Sequence, residues 1–140
     1  MESFMKLPAL VALAAASALV SFAPASAQTA TRLRLQCTAD GATDHSISAR
    51  FEQRSARKKF DASFEAAPNI GFSAGQFLSV AVAGVTVGSM RLVRDAASGD
   101  IVGDLEFDTR VDEGNPFPAN FPKVSSGTNV RVGPLACSLR

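Results

Sequence analysis

Gly71-Phe72-Ser73-Ala74-Gly75 is a literal match to GxSxG, the pattern in which glycines let a strained strand-to-helix turn expose a serine nucleophile. Its surroundings do not supply the rest of that chemistry. The motif needs a strand before it and a helix after it, whereas here a loop with Pro68 precedes and the alternating run QFLSVAV follows. The base histidine comes after the serine in hydrolase order, and the single histidine of this chain, His45, comes earlier. Ser73 therefore reads as part of a small-residue loop. One imidazole also excludes multi-histidine metal sites, and His45 beside Asp44 reads as a solvated turn residue.

Carboxylates are the second candidate. Asp104, Glu106 and Asp108 alternate and so share one side of a strand, with Asp112 and Glu113 in the following turn. Hard cations need several oxygens in one shell, and same-face neighbours on a strand stand about 7 Å apart, too far to chelate one ion without bending. A calcium ion at the turn Asp112-Glu113-Gly114-Asn115 is one reading. The plainer expectation is a solvated acidic face opposite the basic run Arg57-Lys58-Lys59. Five positive residues between Arg50 and Lys59 enclose Phe51 and approach Phe60, but both rings alternate with alanines toward a core and leave no platform for bases. No glycine-rich loop precedes a helix, so nucleotide binding has no footing, and no cofactor is called for.

The elements that must position these groups are strands. RLRLQC places Leu33, Leu35 and Cys37 on one face; SISARFEQ places Ile47, Ala49 and Phe51; KKFDASFEA places Phe60, Ala62 and Phe64 inward with Lys59, Asp61, Ser63 and Glu65 outward. From Gln76 to Arg110 three strands follow as a meander, QFLSVAV, VTVGSMRLVRD and DIVGDLEFDTR, joined by Ala83-Gly84 and by AASG. Gly88 and Gly103 each interrupt a strand, which marks a bulge or a close backbone approach; Val85 and Val87 should face in before Gly88, with Met90 and Leu92 after it. Ile70 and Phe72 in the preceding loop read as plugs over one end of the core. From Val111 to Thr128 alternation fails. Pro116, Phe117, Pro118, Phe121 and Pro122 make an ordered excursion there, with the two rings tacking it to the body. NVRVGPLACSL closes the chain.

Residues 1–27 have the form of a cleaved leader: Lys6, an apolar run from Leu7 to Phe22, and the small-x-small site Ala25-Ser26-Ala27. The apolar run is short of a membrane span, so no insertion is expected after its removal. The remaining 28–140 have the length of one domain. The alanine-rich leader suggests bacterial export to the periplasm or the medium. There Cys37 and Cys137 should form a disulfide, since the CxxC spacing of redox and metal sites is absent. The formal net charge of +1 gives no bulk attraction to nucleic acid or membrane. Gln28 to Arg94 nevertheless carries nine basic against five acidic residues, and Asp95 to Arg140 four against seven. The simplest account is basic and acidic strands lying side by side on one solvated face.

Seven or so strands at spacings near ten residues, without a convincing helix beyond the leader, predict an all-β fold. The first choice is an antiparallel, immunoglobulin-like β-sandwich, with a small closed barrel as the alternative. The pattern KFDASFE, FLSVAVAGVTVGSMRL, GDLEFDT, PFPANFP and GTNVRVG, from about Arg57 to Val132, resembles a set of short exported bacterial proteins of unassigned function; its most specific piece is Pro116 to Pro122. That resemblance implies an exported β domain and transfers no catalytic or binding residue. The functional expectation is a non-catalytic binding or structural module of the envelope, with a protein or envelope component as partner. Its binding loop would be Pro116, Phe117, Pro118, Phe121 and Pro122, aided by Gly71 to Gly75, with exposed apolar area around Phe117 and Phe72. The alternatives are an inhibitor presenting PFPANFP as a wedge to an extracellular enzyme, and a small hydrolase.

Overall fold

The computed structural model describes residues 18–21, 32–110 and 112–140. The leader apart from 18–21, its cleavage site, the expected mature start at Gln28, and Val111 lie outside them. Among the described residues nine strands form: β1 (Arg32–Asp40), β2 (His45–Arg54), β3 (Arg57–Ala66), β4 (Phe77–Val82), β5 (Val85–Arg91), β6 (Val93–Arg94), β7 (Ile101–Asp108), β8 (Asn129–Val132) and β9 (Leu135–Ser138). They build two antiparallel sheets, ordered β1-β2-β3-β7-β6 and β5-β4-β8-β9. Lettered from β2 onward, these orders are A-B-E-D and C′-C-F-G, the arrangement of an immunoglobulin-like sandwich, with β1 added outside A. The sheets do not close into a barrel.

Two of the seven expected strands divide. VTVGSMRLVRD bends at Leu92 and changes sheets, so β5 pairs with β4 while β6 pairs with β7. The expected three-strand meander is thus split between the layers. Gly133-Pro134 similarly separates β8 from β9, which pair with Val132 opposite Leu135. The two-residue turn Ala83-Gly84 has positive φ at both positions (50° and 78°), the primed geometry that matches strand twist.

The core lies between the sheets. Phe51, Phe60 and Phe107 form one cross-strand row on the inner face of the larger sheet, Ala49, Ala62 and Leu105 the next, and Ile47, Phe64 and Gly103 a third. Opposite them pack Leu78, Val80, Val82, Met90, Val130 and Val132, all buried. Each fully buried Phe or Val contributes about 1.5–3 kcal/mol relative to exposure. Gly103 is required by close approach: a Cβ there would stand 2.8 Å from both Leu92 Cδ2 and Met90 Sδ. At Gly88 the bulge is present, since Val80 faces Gly88 and Ala81 faces Thr86, leaving Val87 as the extra residue. Val87 is buried, but Val85, expected inside, lies at the exposed turn end of β5.

Cys37 and Cys137 are joined, with Cα atoms 5.7 Å apart. The bond links the outer strands β1 and β9 of the two sheets. The backbone of Arg140 adds two hydrogen bonds to that of Gln36, at 3.0 and 3.1 Å.

Candidate functional site

Ser73 lies in an exposed loop leading directly into β4, and its backbone N–H donates to Gln76 Oε1 (3.2 Å). No helix follows it, because Leu78, Val80 and Val82 are drawn into the core at strand spacing. His45 does not occupy a solvated turn as expected. It opens β2 and is half-buried, with its ring 5.3 Å from that of Phe72 and its Nδ1 2.9 Å from the carbonyl oxygen of Thr43. It serves, with Ile70 and Phe72, to plug one end of the sandwich.

The Pro116 to Pro122 excursion plugs the other end. Phe121 lies parallel to Phe51 at a centroid distance of 6.5 Å and meets Phe60, Phe107 and Phe117 edge-on at 5.3, 6.0 and 4.7 Å. Lys58 Nζ covers the Phe117 ring at 4.3 Å. Phe117, Phe121 and Phe72 are therefore half-buried against the core, and the exposed apolar area expected around them is not formed. For Phe117 and Phe121 the physical reason is the tier of three phenylalanines beneath, and for Phe72 it is Phe64 at 4.8 Å; each offers the ring more contact than solvent does. Pro116, Ala119 and Asn120 remain exposed, while Pro118 and Pro122 are half-buried. A turn closed by Phe121 N–H to the Pro118 carbonyl oxygen (3.0 Å) forms the tip, and Asn120 Nδ2 donates to the Thr86 carbonyl oxygen on the free edge of β5.

The acidic run divides as well. Asp104 and Glu106 face outward, but Asp108 has no exposed surface, although alternation places it on the same side. The chain beyond β7 doubles back so that Asp108 N–H donates to the Asn115 carbonyl oxygen (2.8 Å), and this return covers the carboxylate. Arg57 Nη2 bonds Asp108 Oδ2 at 2.8 Å and Glu113 Oε2 at 2.7 Å. The Arg57 guanidinium, helped by the Arg110 backbone N–H, holds the Asp108 carboxyl below its ordinary range against the effect of burial. Glu113 is thus engaged by arginine, and the Asn115 side chain by the Glu106 carbonyl oxygen. Among the described residues no group of three acidic, histidine or cysteine side chains is disposed to hold a metal ion.

What the fold does assemble is a graded surface. Cross-strand register sorts the outward residues of β1, β2, β3 and β7 into rows: Arg32, Arg54 and Arg57; then Arg34, Glu52, Lys59 and Asp108; then Gln36, Arg50, Asp61 and Glu106; then Thr38, Ser48, Ser63 and Asp104; then Asp40, Ser46, Glu65 and Val102. The first row is wholly basic, the middle rows are mixed, and the last is acidic, with Asp44 and Asp100 beside it in a recess of about 320 Å³. Basic and acidic strands do lie side by side, as expected: Lys59 Nζ reaches Glu106 Oε1 at 3.1 Å and Arg34 Nε reaches Glu52 Oε1 at 2.7 Å. Hydrogen bonding to Glu106 raises the Lys59 pKa, and that to Arg34 lowers the Glu52 pKa. Burial pushes Asp61 up. At the acidic end Glu65 is raised chiefly by its shared hydrogen bond with Asp100. Ser48 and Ser63 hydroxyls, 2.5 Å apart, floor a groove of about 870 Å³ between the two poles.

Sequence reasoning missed this gradient because it depends on register across four strands, set by hairpins and by the non-local β3–β7 pairing. No family model matches the chain, and no curated protein or solved structure shows significant similarity to it.

Proposed function

We propose that the chain is a non-catalytic binding module of the bacterial envelope, exported to the periplasm or beyond, and that it meets its partner with the outer face of β1, β2, β3 and β7. The observation that supports this reading is the row-by-row passage from Arg32, Arg54 and Arg57 to Asp40 and Glu65 across a hydroxyl-floored groove. A fixed charge order orients a partner of complementary order and rejects the reverse alignment. The Cys37–Cys137 bond fits an oxidising compartment, and no helix among the described residues is long and apolar enough to cross a membrane.

A second reading rests on the loop tip. With Phe117 and Phe121 pinned in the aromatic cluster, Ala119 and Asn120 project on a fixed turn, which suits a rigid wedge entering the cleft of an extracellular enzyme. One experiment separates the two. Partners are captured from envelope extract by the wild-type protein, by Arg32→Glu/Arg54→Glu, and by Ala119→Arg. Loss of capture only in the first variant supports the sheet face; loss only with Ala119→Arg overturns it in favour of the loop.

A further inference from the structure

Arg32, Arg54 and Arg57 stand in direct cross-strand register, Arg32 opposite Arg54 and Arg54 opposite Arg57. Adjacent strands are about 4.8 Å apart, so three guanidinium stems start within about 10 Å of one another. Like charges directly opposite on a sheet are destabilising. The fold relieves the repulsion most fully at one member. Arg57 is held by Asp108 and Glu113, whereas the nearest carboxylate to Arg32, that of Glu52, is 4.0 Å away, and Arg54 has none within salt-bridge distance among the described residues. Arg110 adds a fourth guanidinium, with a side chain 60% exposed and its nearest carboxylate 3.9 Å away. All four, with Lys59, line one recess of about 600 Å³ whose only lining carboxylate among the described residues is Glu52, already bonded to Arg34.

We infer that this recess at the β2–β3 hairpin is a binding site for a phosphate ester. The inference rests on the binding-module reading and names the chemistry recognised at the basic pole. A tetrahedral phosphate offers several oxygen pairs to arginine forks where a carboxylate offers one, and cations approaching from three strands match a multiply charged anion. The volume accommodates a phosphate with a small polar body. No aromatic residue among those described lines the recess, so a nucleobase would find no stacking partner there. A bound anion would also remove the repulsion that the register builds in.

Protein expressed from the full chain is titrated calorimetrically with pyrophosphate, and separately mixed with vesicles of phosphatidylglycerol and phosphatidylcholine or of phosphatidylcholine alone. The expected result is saturable pyrophosphate binding that weakens at least tenfold in Arg54→Gln and is unchanged in Arg131→Gln on the opposite sheet. Pyrophosphate should raise the melting temperature of the wild type but not of Arg54→Gln, whose unliganded melting temperature should be no lower than wild type. Retention on the anionic vesicles alone, lost in Arg54→Gln, would identify a lipid headgroup as the source; pyrophosphate binding without vesicle retention would identify a soluble ester. Absence of saturable binding to either probe, equal weakening in both variants, or equal displacement by acetate overturns the inference. If that occurs while Arg32→Glu/Arg54→Glu still abolishes envelope capture, only the phosphate assignment falls.

Discussion

At the hairpin end of the five-stranded sheet, Arg57 sits between Asp108 and Glu113 above a tier of Phe51, Phe60 and Phe107 that is closed by Phe117 and Phe121. At the far end Glu65 faces Asp100, and beneath them Ile47 and Phe64 are closed by Phe72 and His45. Both ends follow the same inward–outward alternation. They differ in which charge is in excess, and therefore in what each carboxylate experiences. Surplus arginine keeps Asp108 ionised even under cover, while surplus carboxylate makes Glu65 retain its proton more readily. Alternation sets burial, and register across strands sets electrostatics.

Removing the loop rings tests the packing side of this contrast and should have the largest effect. Phe121→Ala takes away contacts with four rings and should cost about 2–3 kcal/mol, below the fully buried range because the ring is half-exposed. Phe72→Ala, with contacts to Phe64 and His45, should cost about 1 kcal/mol. Urea unfolding of the two variants checks the order, and equal losses would break the distinction between the ends. Arg57→Ala follows, leaving a covered Asp108 carboxylate without its cation. Its melting temperature should fall by several degrees, and Arg57→Lys should recover only part of this because a lysine cannot fork between Asp108 and Glu113.

The pH response should have opposite signs at the two ends. Asp108 is held below its ordinary 3.8, so its contribution is present above that pH and is lost as pH falls through the lower folded value. Asp108→Asn should therefore destabilise at pH 7 and converge on wild type at strongly acid pH. Glu65 is raised above its ordinary 4.5, so its contribution is complete below that pH and is lost as pH rises through the folded value. Glu65→Gln should melt slightly higher than wild type at pH 7, the smallest effect of the series, and the gain should vanish near pH 4. Thermal scans at three pH values read both; a gain for Glu65→Gln that persisted in acid would show that repulsion from Asp100 is not its cause.

Much of the architecture was legible because one-sided burial leaves a period of two. Phe60, Ala62 and Phe64 mark their strand without ambiguity, and Ala83-Gly84 marks its turn. The sheet change at Leu92 was not legible, because Met90 and Leu92 continue one alternation while the backbone passes between layers. The cover over Asp108 was equally hidden: it comes from Gly114 and Asn115 folding back, a contact no periodicity encodes. Phe117 and Phe121 could be identified as anchors, but their depth depended on a tier assembled from three separate strands. The arginine row was invisible for the same reason. Arg32, Arg54 and Arg57 are spread over 26 positions and meet only through two hairpins.

The bond between Cys37 and Cys137 also determines how the molecule carries force. The bridged residues lie 100 positions apart, with β2 through β8 between them. Tension applied to the two chain ends passes from β1 through the sulfur atoms to β9, and reaches the chain between the bridged residues only through the bonds that Arg32 to Gln36 make with β2 and Leu139 makes with Gly127 and Thr128. When oxidised, the stretched domain lengthens only by peeling away the residues outside the bridge. Reduction converts it into a chain that can be drawn out along its whole length.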